Sequence, residues 1–128
     1  MKSHWTIAIK TSEVGIFIKK IERFLSVKLV DPKYRNDYQL GSDIYTVIDC
    51  FIDHSSNDFS VLVFEMFNLI KKISVQWDLS LLDIQSDISG TIDSKVREEI
   101  GGYDIHGPSG IRSISWRILK DQDYQRLW

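Results

Sequence analysis

One cysteine, two prolines, three histidines and no long apolar run mark this chain of 128 residues. A single cysteine excludes an internal disulfide and any zinc site built from several thiolates. Free cysteines are mostly small buried residues, and Cys50 is read as one. The longest strongly apolar run, Val61 to Phe64, falls far short of the roughly 20 residues that span a bilayer. Met1-Lys2-Ser3-His4-Trp5-Thr6 leads straight into an alternating segment with no apolar h-region or small-residue cleavage site. No signal peptide is therefore expected, and a cytoplasmic location is. No serine sits in a glycine-flanked elbow, Cys50 has no neighbouring base in sequence, and nothing nominates a Ser/His/Asp set.

What is present is the composition of an ordinary globular protein, 43% hydrophobic and 27% charged. The length suits one domain over residues 1–128 with one core. The formal net charge of −2 conceals an uneven distribution. Between Asp31 and Asp93 eleven carboxylates face four basic residues, a net −7, while residues 1–30 carry +4 and residues 94–128 carry +1. A concentrated negative region suits a basic protein partner, because complementary fields speed encounter and suppress wrong partners. It disfavours nucleic acid, and Lys19, Lys20 and Arg23, the one compact basic feature, read as a solvated helix face.

Periodicity supplies the elements. Trp5, Ile7 and Ile9 alternate with His4, Thr6, Ala8 and Lys10, the period of a half-buried strand. Ser12 reads as a cap before Val14, Phe17, Ile18, Ile21, Phe24 and Leu25, which recur at helical spacing. Residues 26–43, broken by Asp31-Pro32 and Gly41, read as a long loop. Residues 44–53 fit either period; their Ile, Thr, Val, Tyr and Phe content favours a strand. Ser55-Ser56-Asn57-Asp58 precedes a second amphipathic helix carried by Phe59, Leu62, Val63, Met66, Ile70 and Ile73, with Lys71-Lys72 suiting its C-terminal end.

Val75 to Ile84 and Asp87 to Asp93 read as a hairpin. A short helix from Asp93 or Ser94 to Ile100, a glycine-rich loop over 101–110 and a strand over Ile111 to Leu119 follow. The order implies an α+β domain: a mainly antiparallel sheet of about five strands with two amphipathic helices packed on one face. Strand parity turns Gln76, Asp78, Ser80, Ser89, Thr91, Asp93, Ser113, Ser115 and Arg117 to the other face. That face reads as plain solvated sheet, or as a binding surface whose short side chains lose little entropy on docking.

Candidate chemistry is sparse. Asp49 and Asp53 share a face and His54 follows them, yet no spacing ties them to a third ligand. Asp104 and His106 in the 101–110 loop are the alternative, a small metal- or ligand-binding enzyme. The glycines there lack the lysine and hydroxyl of a phosphate loop. No cofactor and no catalytic or metal-ligating set is expected. Trp5, Trp77 and Trp116 are in phase with apolar neighbours and read as core, while Tyr34, Tyr38, Tyr45 and Trp128 are left for an interface.

With its short single domain, its acidic cluster around Asp43, Asp49, Asp53 and Asp58, its many aromatics and no catalytic set, the chain resembles the bacterial immunity proteins that protect against contact-dependent growth inhibition and other polymorphic toxins. The resemblance implies a non-enzymatic cytoplasmic protein that neutralises a cognate toxin domain, a basic one and in many cases a nuclease, by tight association. The expected contact residues are Asp43, Tyr45, Asp49, Asp53 and Asp58, with Asp78, Asp83 and Asp87 at the hairpin. No nucleic acid and no membrane enters that expectation.

Overall fold

The computed structural model describes residues 1–10, 13–74, 77–83, 87–93 and 105–119. Six strands and two helices follow in the order β1 (Lys2–Ile9), α1 (Val14–Leu25), β2 (Leu29–Leu40), β3 (Asp43–Asp53), α2 (Phe59–Ile73), β4 (Asp78–Asp83), β5 (Asp87–Asp93) and β6 (Ile111–Leu119). The strands form one sheet in the order β2-β3-β1-β6-β5-β4, and every neighbouring pair is antiparallel. The fold is α+β as expected, with six strands rather than five. β1 is central: the β2–β3 hairpin flanks it on one side and β4 to β6 on the other.

Alternation fixes which face is buried. Trp5, Ile7 and Ile9 on β1 lie beside Ile48, Cys50 and Ile52 on β3 and beside Ile114, Trp116 and Ile118 on β6. Val14, Phe17, Ile21 and Leu25 of α1 and Leu62, Met66, Ile70 and Ile73 of α2 complete the same core cluster, so both helices cover one face. Burial pushes the Cys50 thiol up to about 12, which keeps it a protonated, unreactive core group.

The helix ends are tied by specific bonds. Asp58 caps α2, its Oδ1 accepting from the backbone N–H groups of Ser60 at 2.9 Å and Val61 at 3.4 Å. Trp77 is partly buried, and its Nε1 donates to the carbonyls of Ile70 and Ser74 at 2.9 Å each, closing the other end of α2. The cap of α1 is Glu13, with no side-chain cap bond; Ser12 lies outside the described residues. Ser26 ends α1 in the left-handed region, and Glu22 Oε2 accepts from Leu29 N at 2.8 Å to set the start of β2.

The long loop expected at 26–43 is a correction. Residues 29–40 are a strand, joined to β3 by the short Gly41-Ser42 turn, where Gly41 has φ +63. β2 is an edge strand exposed over 31–39, so no alternation betrays it. Its register shifts between Val30 and Lys33, where Asp31 (φ +48) and Pro32 sit. A bulge on an edge is where a sheet tolerates proline. Leu79 takes the core-face parity opposite Gly90 but stays 50% exposed at the other edge. The expected helix through Ile100, Val75, Gln76, Asp104 and Trp128 lie outside the described residues. No described helix is long and apolar enough to cross a membrane.

One glycine is demanded by packing. Gly90 pairs with Trp116, and a Cβ on Gly90 would lie 2.6 Å from Trp116 Nε1 and 2.7 Å from Cε2. Gly90→Ala is therefore expected to cost about 1–3 kcal/mol in urea unfolding, as overpacking does.

Candidate functional site

The face opposite the helices carries Asp43, Tyr45, Asp49, Asp53 and Asp78 of the sequence-predicted residues. On β3 it presents Asp43, Tyr45, Val47, Asp49, Phe51 and Asp53; on β1, Lys2, His4, Thr6 and Ala8; on β6, Ser113, Ser115 and Arg117; on β5, Ser89, Thr91 and Asp93. The polar second face foreseen from parity is thus present on β5 and β6.

Asp49 is the hub of its centre. Its Oδ1 accepts from Thr6 Oγ1 at 2.8 Å and lies 3.5 Å from His4 Nε2. The His4 ring sits 5.2 Å from the Phe51 ring, and Lys2 Nζ lies 5.8 Å over that same ring. Burial holds His4 below its ordinary value near 6.5; Asp49 pulls the other way and Arg117 adds to the lowering. The Asp49 carboxylate is committed to neighbours within the sheet, and its role is to organise them.

Tyr45 is also a correction. It is only 3% exposed, so it cannot serve as a partner anchor. The Arg112 guanidinium lies 5.7 Å from the Tyr45 ring centre, and Arg112 Nη2 pairs with Asp93 Oδ2 at 3.3 Å. Arg112 thus reaches both flanks of the central strands. The Tyr45 hydroxyl donates to Asp43 Oδ2 at 3.5 Å.

Asp49 and Asp78 share a face, but the two acidic groups do not merge. Through the register, Asp49 aligns with Thr6, Ser115, Thr91 and then Asp78. Four strand spacings separate Asp49 from Asp78, about 19 Å, which exceeds the roughly 8 Å screening length at physiological salt. Arg112 and Arg117 of β6 lie between them. Asp83 and Asp87 oppose each other beside the β4–β5 connection. Asp58 is spent on the α2 cap. Near β3, Asp53 is exposed, and Asp43, which accepts from the Tyr45 hydroxyl, is partly exposed.

A second cluster was not foreseen. Trp5 Nε1 donates to Ser3 Oγ at 2.8 Å, Ser3 Oγ lies 2.8 Å from His54 Nε2, and His54 Nδ1 lies 3.2 Å from Glu65 Oε2. An ionised carboxylate only accepts, so His54 Nδ1 carries the proton donated to Glu65, and the neutral ring accepts at Nε2 from the Ser3 hydroxyl, whose oxygen takes the Trp5 indole N–H. Burial lowers His54 below 6.5, opposed chiefly by its bond to Glu65. The order hydroxyl, imidazole, carboxylate is that of a hydrolase triad. Here Ser3 is fully buried and already bonded to Trp5, so no acyl group can reach it, and the relay joins β1 to α2. The sequence did hold one signal, since Ser3 is a polar residue in phase with Trp5, Ile7 and Ile9.

Beside His54 and Glu65 opens a pocket of about 410 Å³, with Val27, Ile52 and Leu69 as apolar walls and Asp53, Asn68 and Lys72 among its polar lining. Among the described residues no three His, Cys, Asp or Glu side chains gather closely enough to hold a metal. His106 is exposed, and its backbone N–H donates to Ile73 O at 2.7 Å. No family model matches the chain, and neither the curated proteins nor the solved structures hold a match.

Proposed function

We propose that this protein is a non-enzymatic binding protein, most concretely an immunity protein that occupies a basic toxin domain through the β3 side of the sheet face opposite α1 and α2. One observation carries the reading. Asp43, Asp49 and Asp53 stand on one face of one strand, and Asp53 is exposed. Asp49 keeps the row in place through Thr6 and His4, while Asp53 and Asp43 offer charge to a partner. Asp78, Asp83 and Asp87 lie at the far half of the sheet and belong to a separate contact if they belong to any. Carboxylates in such positions set encounter rate and specificity more than total affinity.

The test uses Asp43→Lys with Asp53→Lys and leaves Asp49, which the sheet itself needs. Binding to a basic partner domain is expected to weaken about tenfold or more, mainly through slower association, with a flatter salt dependence. Unchanged affinity across salt concentrations would remove the β3 row from the interface.

A further inference from the structure

A different surface, independent of the reading above, is the outer side of α2. Its inner side meets the core through Leu62, Met66, Ile70 and Ile73, yet its outer side is apolar too. Phe64 is 68% exposed, Val61 43% and Phe67 39%. At 3.6 residues per turn Phe64 stands opposite the buried stripe, with Val61 and Phe67 one turn to either side. Three large apolar side chains contiguous on one solvent-facing helix are more than scattered surface hydrophobics.

The arrangement is symmetric about Phe64. Val61 and Phe67 lie three residues before and after it. Asn57 and Lys71 lie seven before and after, with the exposed carboxylate of Asp58 next to Asn57. An antiparallel α2 from a second copy, related by a two-fold axis through Phe64, lays Phe64 on Phe64 and Val61 on Phe67. It also brings Lys71 of each copy to the Asp58 end of the other, so the basic end of one helix meets the acidic end of its mate. We propose that this stripe is a self-association surface, on which two copies of the chain pair through antiparallel α2 helices. The match of the stripe to its own reversal, in shape and in charge, selects a second copy over an unrelated partner. One helix face per copy is a small interface, so pairing is expected in the micromolar range or weaker.

Sedimentation equilibrium of the full chain from micromolar to millimolar concentration tests this. A monomer–dimer equilibrium is expected, and Phe64→Glu should raise its Kd by about 100-fold or more, since each copy loses its central anchor and gains a charge. Far-ultraviolet circular dichroism checks that the variant is folded. A monomer throughout, or a dimer indifferent to Phe64→Glu, overturns the proposal. Crosslinking supplies a second route that spares Phe64. A mixture of Val61→Cys and Phe67→Cys proteins should form a disulfide dimer under a mild oxidant, and each alone should not, with Cys50 buried out of reach. Equal crosslinking by either variant alone overturns the antiparallel pairing.

Discussion

Trp116→Ala is expected to lower stability by about 3–5 kcal/mol, the cost of emptying a large buried aromatic site. Against a typical total of about 5–15 kcal/mol this is a large share of the stability. The indole is 2% exposed, lies beside Trp5 of β1 across one strand interface and meets Gly90 of β5 across the other. It therefore joins both flanks of β6 at once. The diagnostic is coupling with Gly90. Alanine at 90 clashes with the indole in the native protein, so the Gly90→Ala cost should fall to a few tenths of a kcal/mol once Trp116 is alanine. Equilibrium urea unfolding of the four proteins measures this. Additive costs would mean that the ring is not what holds position 90 to glycine.

His54→Ala should be nearly as costly, about 2–4 kcal/mol, because it leaves the Ser3 hydroxyl and the Glu65 carboxylate without their buried partner. Glu65→Gln should cost far less, since an amide oxygen can still accept from Nδ1. The same relay sets a pH dependence whose sign is fixed. In the folded state burial holds both His54 and His4 below 6.5, the value expected when unfolded. Below pH 6.5 the unfolded chain takes up protons that the folded chain refuses, so stability falls with acid. Above pH 6.5 both states are neutral and the contribution is flat. The slope on the acid side is at most about 1.4 kcal/mol per pH unit for each histidine. Urea midpoints between pH 7.5 and 5 should fall for the native protein and fall less for His54→Ala. An identical fall in both would assign the acid sensitivity elsewhere.

Local pattern made much of this legible in sequence. The alternation at Trp5, Ile7 and Ile9 and the helical spacing from Val14 to Leu25 and from Leu62 to Ile73 are printed in the chain, because each element buries one face on one core. β2 was hidden because an edge strand exposed over most of its length needs no apolar period, and because Asp31-Pro32 looks like a break when it is a bulge. Leu79 kept the correct parity and still stayed half exposed, since parity cannot say how far helices reach across a sheet.

The candidate site was legible along β3 and illegible across the sheet. Three aspartates at even spacing on one strand had to share a face. That Asp78 lies four strands from Asp49, with arginines of β6 between, depends on which strands pair, and pairing leaves no mark in periodicity. Tyr45 was misplaced for a related reason. Its ring lies beside Arg112, 67 residues further along the chain, a contact that periodicity does not show. The Ser3, His54 and Glu65 relay likewise draws on β1, the β3–α2 connection and α2.

The binding account is tested most directly by growth protection. It requires a basic, growth-arresting domain encoded beside this chain, with which the protein forms a stable complex. Cells producing that domain should grow when the native protein is co-produced and should stop growing with Asp43→Lys, Asp53→Lys protein that circular dichroism shows to be folded. Full protection by the charge-reversed protein, or no protection by the native one, would contradict the account.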